Sequence, residues 1–294
     1  MSARPDVARL RALLAARPRR LLAAPGCWDG FTALLIEQAA FEAAFLTGGG
    51  LSMSRLGRPD MGLVTLSELA DTVMLIRDRV RLPLIVDGDT GFGNALNLAR
   101  SVRLLERAGA SAIQIEDQTF PKRCGHMDGK GVIPKDEAVG KLKAALDARE
   151  EALVIARTDA ASIEGVASAL DRAEAYLEAG ADLIFVEGPP TLADTAAVGA
   201  RFAERVPLVH NLVEGGVSAV SSGAALEAMG FAVALHPLVL LHGFAKAAPG
   251  WLEVVKAERS TDAMRDQLLT LADLNRITGA AELIAAGKAY GDQG

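Results

Sequence analysis

LLERAGASAIQIEDQ, residues 104–118, and AYLEAGADLIFVEG, residues 175–188, follow one plan. In each, apolar side chains recur at helical spacing as far as an Ala-Gly-Ala turn, and a short run of apolar residues follows at once. A helix stopped by glycine and turned straight into a buried strand is half of a repeated βα unit. EQAAFEAAFLTGG (37–49) and EAMGFAVALHP (227–237) repeat the plan more loosely. Working outward, eight strand-length apolar runs appear: Leu21–Pro25, Ala43–Thr47, Leu82–Asp87, Ala112–Asp117, Leu153–Thr158, Asp182–Glu187, Pro207–Leu212 and Ala232–His236. Helix-length segments separate them, which predicts an α/β chain with a parallel sheet closed as a (β/α)8 TIM-type barrel. A doubly wound sheet would want its glycine-rich turn after the first strand. DGDTGFG (87–93) follows the third and carries two carboxylates that would repel a pyrophosphate.

The 294 residues are 50% hydrophobic and 23% charged, enough for a large core and too apolar for disorder. No linker divides them, so one domain over 1–294 is expected, with a helical tail from about Gly250 whose Trp251, Leu252, Val254 and Val255 need burial. Thirty-one basic against 37 acidic residues, scattered along the chain, exclude a nucleic-acid footprint. Every apolar run is shorter than the roughly 18 residues a bilayer demands. Cys27 and Cys124 are too few for a disulfide framework, which points to a reducing, cytoplasmic setting. The arginine-rich start reads as a first helix with a basic end.

In such a barrel the carboxyl ends of the strands form the working face. They run into Thr47-Gly48-Gly49-Gly50, Asp87 and Asp89, Glu116 and Asp117, Arg157 and Asp159, Glu187, Asn211 with Glu214 behind it, and His236. Any one of the acids reads equally well as a salt bridge or a helix cap. Crowded together they would repel, and a divalent cation relieves this; oxygen ligands without a Cys/His cluster select Mg²⁺ or Mn²⁺. Asp87 or Asp89 is the expected direct ligand, with Glu116 bound directly or through water. Arg157 suits either a structural pairing with Glu116 or Glu187 or a substrate carboxylate. Asn211 can donate its amide to a carboxylate or serve a structural role.

PKRCGHMDGKG (121–131) sets Cys124 among Lys122, Arg123 and His126, between glycines that permit a mobile loop. Cationic neighbours favour the thiolate, and a thiol there can exchange a proton with carbon. Cys27, beside Trp28, reads as packing. Cys124 and His126 lack the further ligands of a zinc site, and His210, His236 and His242 lie in or near apolar segments and are assigned no chemistry.

DGDTGFGN (87–94), IEDQ (115–118), KRCGH (122–126) and ARTDA (156–160), in that order and spacing, resemble the isocitrate lyase/phosphoenolpyruvate mutase superfamily, most closely its methylisocitrate and 2,3-dimethylmalate lyase group. The resemblance implies a barrel, Mg²⁺, and a homotetramer with exchanged C-terminal helices. It implies Asp87, Asp89 and Glu116 at the metal, Cys124 as acid/base in a loop with Lys122 and His126, and substrate contacts from Thr47, Gly48, Gly49, Gly125, Arg157, Glu187 and Asn211. The implied reaction is retro-aldol cleavage of a 2-hydroxy di- or tricarboxylate to an α-keto acid and a second carboxylate. An oxaloacetate decarboxylase, a mutase-type enzyme or a noncatalytic dicarboxylate-binding protein are the alternatives. Phe45 and Thr47 stand where methylisocitrate lyases carry tyrosine and serine, and HNLVEGG (210–216) looks more like the dimethylmalate branch.

Overall fold

Each of the eight apolar runs becomes a strand in the computed structural model, which describes residues 4–125, 127–216 and 218–291. The strands are β1 (Leu22–Cys27), β2 (Ala44–Leu46), β3 (Leu84–Asp87), β4 (Ala112–Glu116), β5 (Leu153–Thr158), β6 (Leu183–Val186), β7 (Leu208–Asn211) and β8 (Val233–His236). All neighbours are parallel and β8 pairs back onto β1, so the sheet closes as β1 to β8 in chain order. Helix α1 (Pro5–Ala15) precedes the barrel; α2 (Gly30–Gln38), α3 (Gly48–Leu56), α4 (Leu66–Arg79), α5 (Ala95–Ala108), α6 (Lys135–Ala148), α7 (Val166–Glu178), α8 (Leu192–Phe202) and α9 (Gly223–Ala228) connect its strands. The internal echo has a local cause: Gly109 and Gly180 take φ of 120° and 103°, which only glycine adopts readily, and so turn α5 into β4 and α7 into β6.

Side chains alternate across a strand, and that alternation sorts the barrel. Leu22, Ala24, Phe45, Ile85, Ala112, Leu153, Ile155, Leu183, Phe185, Val209, Val233 and Leu235 share one buried core cluster. Continuing the same parity toward the carboxyl ends reaches Asp87, Gln114, Glu116, Arg157, Glu187 and Asn211. The register agrees, with Asp87 beside Gln114, Glu116 beside Arg157, and Arg157 beside Phe185. Along each of these strands the interior is therefore apolar first and polar toward the carboxyl end. Arg157 rests on that boundary, its guanidinium carbon 5.2 Å from the centre of the Phe185 ring.

The chain divides into two compact units, Met1–Leu240 and Leu241–Gly294. Helix α10 (Val239–Glu258) continues into the second, which also holds α11 (Leu271–Thr278) and α12 (Ala280–Ala289). These three helices bury none of their residues within the chain, and Leu252, Leu271, Leu283 and Ile284 are exposed. Among the described residues no helix is long and apolar enough to cross a membrane.

Candidate active site

Strand β3 ends at Asp87, and the chain must then turn sharply. Asp89 takes a left-handed φ of 49°, uncommon for a residue with a Cβ and tolerated best by Asn and Asp. Gly88 N–H donates to the Gln114 carbonyl and Glu116 N–H to the Asp89 carbonyl, each at 2.9 Å, so the turn is stitched to β4. Lys141 of α6 holds it from behind by donating to the Thr90 carbonyl at 2.7 Å. Asp87 Oδ1 accepts from Gln114 Nε2 and Asp89 N, both at 3.2 Å, while Oδ2 accepts from Gly48 N at 3.3 Å. A Cβ on Gly48 would lie 3.0 Å from Asp87 Oδ2 and 3.1 Å from Asp89 Oδ1, so the two oxygens converge on a point that glycine leaves open. Gly49 lies against Asp60 more loosely, a Cβ there standing 3.6 Å from the Asp60 Cβ, and the Thr47 hydroxyl is turned to cap α3 by accepting from Gly50 N.

Across the mouth, Arg157 is gripped side-on by Asp159, Nε to Oδ2 at 2.9 Å and Nη2 to Oδ1 at 3.0 Å. Glu187 lies 3.2 Å from Nη2 and Glu116 3.4 Å from Nε. Asn211 donates Nδ2 to Glu187 Oε2 at 2.7 Å. Burial opposes the charge on Arg157, but Asp159, Glu116 and Glu187 outweigh it and hold the guanidinium protonated. Asp117, expected with the mouth acids, has the opposite parity and faces the helix layer, where it accepts from Thr158, Tyr176 and Arg172.

Among the described residues, the buried carboxylates of Asp60, Asp87, Asp89, Glu116, Asp159 and Glu187 gather around Lys122, Lys130 and Arg157, and there negative charge is in excess. Burial pushes the Asp89 carboxyl up to about 7 against the pull of Lys122, with Asp87 and Asp60 adding to the rise. Burial likewise raises the Glu116 carboxyl well above the usual range although Arg157 and Lys122 oppose it. Among the described residues Glu116 Oε1 has no hydrogen-bond partner. These are carboxylates short of countercharge. No group of three or more His, Cys, Asp or Glu side chains among the described residues could hold a metal by itself. The Asp87/Asp89 pair nevertheless fits a hard dication such as Mg²⁺, which takes one or two protein carboxylates and keeps several waters for other ligands to replace.

The 121–131 loop lies over this mouth. Cys124, half-buried, donates its N–H to the Asp60 carbonyl at 3.0 Å. Gln118 clasps the Arg123 backbone from both sides, at 3.0 and 2.8 Å. Lys122 bridges Asp60 and Asp89, 2.6 Å from each, and is 3% exposed; burial opposes its charge, yet these acids keep it well above the ordinary lysine range. It stands as a countercharge within the acidic cluster. Gly125 has no room for a side chain: a Cβ would come within 2.4 Å of Arg157 Nη2 and 2.8 Å of Glu187 Cγ. His126 lies outside the described residues. Cys27 is sealed in the barrel wall, its Sγ 3.6 Å from the Phe45 carbonyl, and burial pushes its thiol up to about 12.

The structure thus gathers Gly48, Asp87, Asp89, Glu116, Lys122, Cys124, Gly125, Arg157, Glu187 and Asn211 at one mouth. Asp60, Gln114 and Lys130 join them without having been singled out from the sequence. Asp60 sits in an aperiodic turn (57–62) with no signal of its own; Gln114 was legible from the inward parity of β4.

A family model described as phosphoenolpyruvate phosphomutase matches residues 10–249. The chain is 39% identical over 280 residues to the 2,3-dimethylmalate lyase of Eubacterium barkeri, covering 94% of this chain and 95% of that protein. Among solved structures it is similar to an oxaloacetate acetylhydrolase in complex with the inhibitor 3,3-difluorooxalacetate, with TM-score 0.92, 31% identity and 98% of each chain covered. It is also similar to a phosphonopyruvate hydrolase in complex with oxalate and Mg²⁺, with TM-score 0.86, 28% identity, and 97% of this chain and 99% of that one covered.

Proposed function

We propose, for a chain that belongs to the phosphoenolpyruvate mutase/isocitrate lyase superfamily and is a carbon–carbon lyase within it, the cleavage of a 2-hydroxy di- or tricarboxylate of 2,3-dimethylmalate or 2-methylisocitrate type. One observation carries this reading: a cysteine-bearing loop is folded down onto the buried Arg157, at the same mouth as a pair of convergent aspartates. Asp87 and Asp89, with Glu116 beside them, would hold Mg²⁺, and the bound ion would supply the Lewis acidity that eases ionisation of a substrate hydroxyl.

The chain's own groups do the rest. Arg157, already fixed by Asp159, binds a substrate carboxylate, and the Asn211–Glu187 pair orients its neighbours. As the hydroxyl proton passes to a carboxylate of the mouth, the C2–C3 bond breaks, its electron pair passes to C3, and an α-keto acid is formed. The other fragment is an enolate spread into its carboxylate, and Cys124 returns a proton to its carbon. The seated loop excludes water while the enolate lives. A reducing, cytoplasmic setting keeps Cys124 a thiol. The uncovered apolar faces of α10 to α12 support assembly, which we take to be a homotetramer with exchanged C-terminal helices.

Incubating the protein and Mg²⁺ with dimethylmalate, methylisocitrate, isocitrate, oxaloacetate and carboxyphosphonoenolpyruvate, with product analysis, tests the reading. An α-keto acid plus a second carboxylic acid from a 2-hydroxy acid is expected; CO₂ or a rearranged phosphonate as the only product refutes it. The close fold match favours one rival, hydrolytic C–C cleavage of an oxaloacetate-like acid, which oxalate release would reveal. Cys124→Ala should lower cleavage by about 10²- to 10⁴-fold, the contribution of a positioned acid, with Mg²⁺-dependent oxalate binding retained.

A further inference from the structure

Lys130 is a mouth cation that takes no part in the proposed reaction. Its side chain is 4% exposed, and its ammonium donates to the Gly125 carbonyl while lying 3.4 Å from Asp159 Oδ1. Asp159 is wholly buried and is the carboxylate that grips Arg157 side-on. Burial would raise the Asp159 carboxyl, but Arg157 and Lys130 outweigh it and hold it below its ordinary range. Gly125 is the loop residue pressed against Arg157 and Glu187. One ammonium therefore touches the seated loop on one side and the brace of the substrate arginine on the other.

We propose that Lys130 is a positioning residue that ties the seating of the 121–131 loop to the alignment of Arg157. Lifting Gly125 away from Arg157 strips the Gly125 carbonyl from Lys130, and carrying Lys130 off with the loop leaves Asp159 with one cation instead of two. A buried carboxylate that loses a partner is disfavoured, so the loop returns. What this closure serves rests on the lyase reading; the latch itself does not.

The experiment follows alkylation of Cys124 by iodoacetamide, with buried Cys27 as the internal control, in wild type, Lys130→Met, Lys130→Arg and the exposed α6 substitution Lys143→Ala. Saturating Mg²⁺ and oxalate should protect Cys124 in wild type and Lys143→Ala. In Lys130→Met the protection factor should fall at least tenfold, the loss expected of one charge-assisted hydrogen bond. kcat/KM should fall with it, mostly through KM, because closure is coupled to binding, and Lys130→Arg should recover both in part. Unchanged protection in a Lys130→Met protein of wild-type melting temperature overturns the proposal, and so does a wild-type protein that oxalate and Mg²⁺ do not protect. Protection that depends on Lys130 in a protein that cleaves no 2-hydroxy acid upholds the latch and removes the lyase reading alone.

Discussion

A methyl group at Gly48 would press on the carboxylates of Asp87 and Asp89 together. Gly48 is the first residue of α3 and its φ is not positive, so alanine is conformationally acceptable there and favours the helix by up to about 1 kcal/mol. Gly48→Ala should therefore keep or raise the melting temperature while weakening Mg²⁺-dependent oxalate binding at least tenfold, read by calorimetry with and without EDTA. Equal affinity in wild type and variant would place the ion elsewhere. At this scale the sequence was most legible in which residues meet, as with Asp87, Asp89 and Arg157, because each stands at or just beyond the carboxyl end of a strand. It was least so where an ordinary residue becomes functional through its neighbours. Lys130 and Asp60 acquire their meaning from atoms far away in the chain, and Lys122 reads from its loop as a catalytic cation but pairs with two acids.

At the scale of elements, strand positions followed from hydrophobic runs because each strand is buried on both faces, leaving a continuous apolar signature. What the runs did not display is which way Asp117 points; that depends on counting parity from the core upward, and Glu116 and Asp117 differ by one residue and by opposite sides of the wall. The docking of α1 was equally hidden. Asp6 on that helix accepts from Ser111 Oγ at 2.7 Å, Arg4 Nη2 at 2.7 Å and Arg77 Nη2 at 3.2 Å. Burial pushes its carboxyl up, but these donors outweigh the effect and its pKa lies below the ordinary 3.8. The ionised form is thus the one the folded chain prefers, so its contribution is complete above that value and disappears as the pH falls through the lower, folded one. Asp6→Asn should destabilise by about 1–2 kcal/mol at pH 7 in urea unfolding, with the difference from wild type narrowing in acid below pH 3.8. A difference of the same size at both ends of the pH range would contradict this.

At the scale of the whole molecule, α10 to α12 leave leucine and isoleucine side chains uncovered. Light scattering behind gel filtration should give four times the 30.7 kDa chain mass, and removal of residues 259–294 should lower it; a monomer would leave those faces unexplained. Inside the barrel, each strand that supplies the mouth changes from apolar to polar side chains toward its carboxyl end. Evolution can therefore rewrite the upper storey, altering which acid is cut, without loosening the masonry below. An engineer who wants a new substrate should vary the storey above Phe185 and leave the foundations alone.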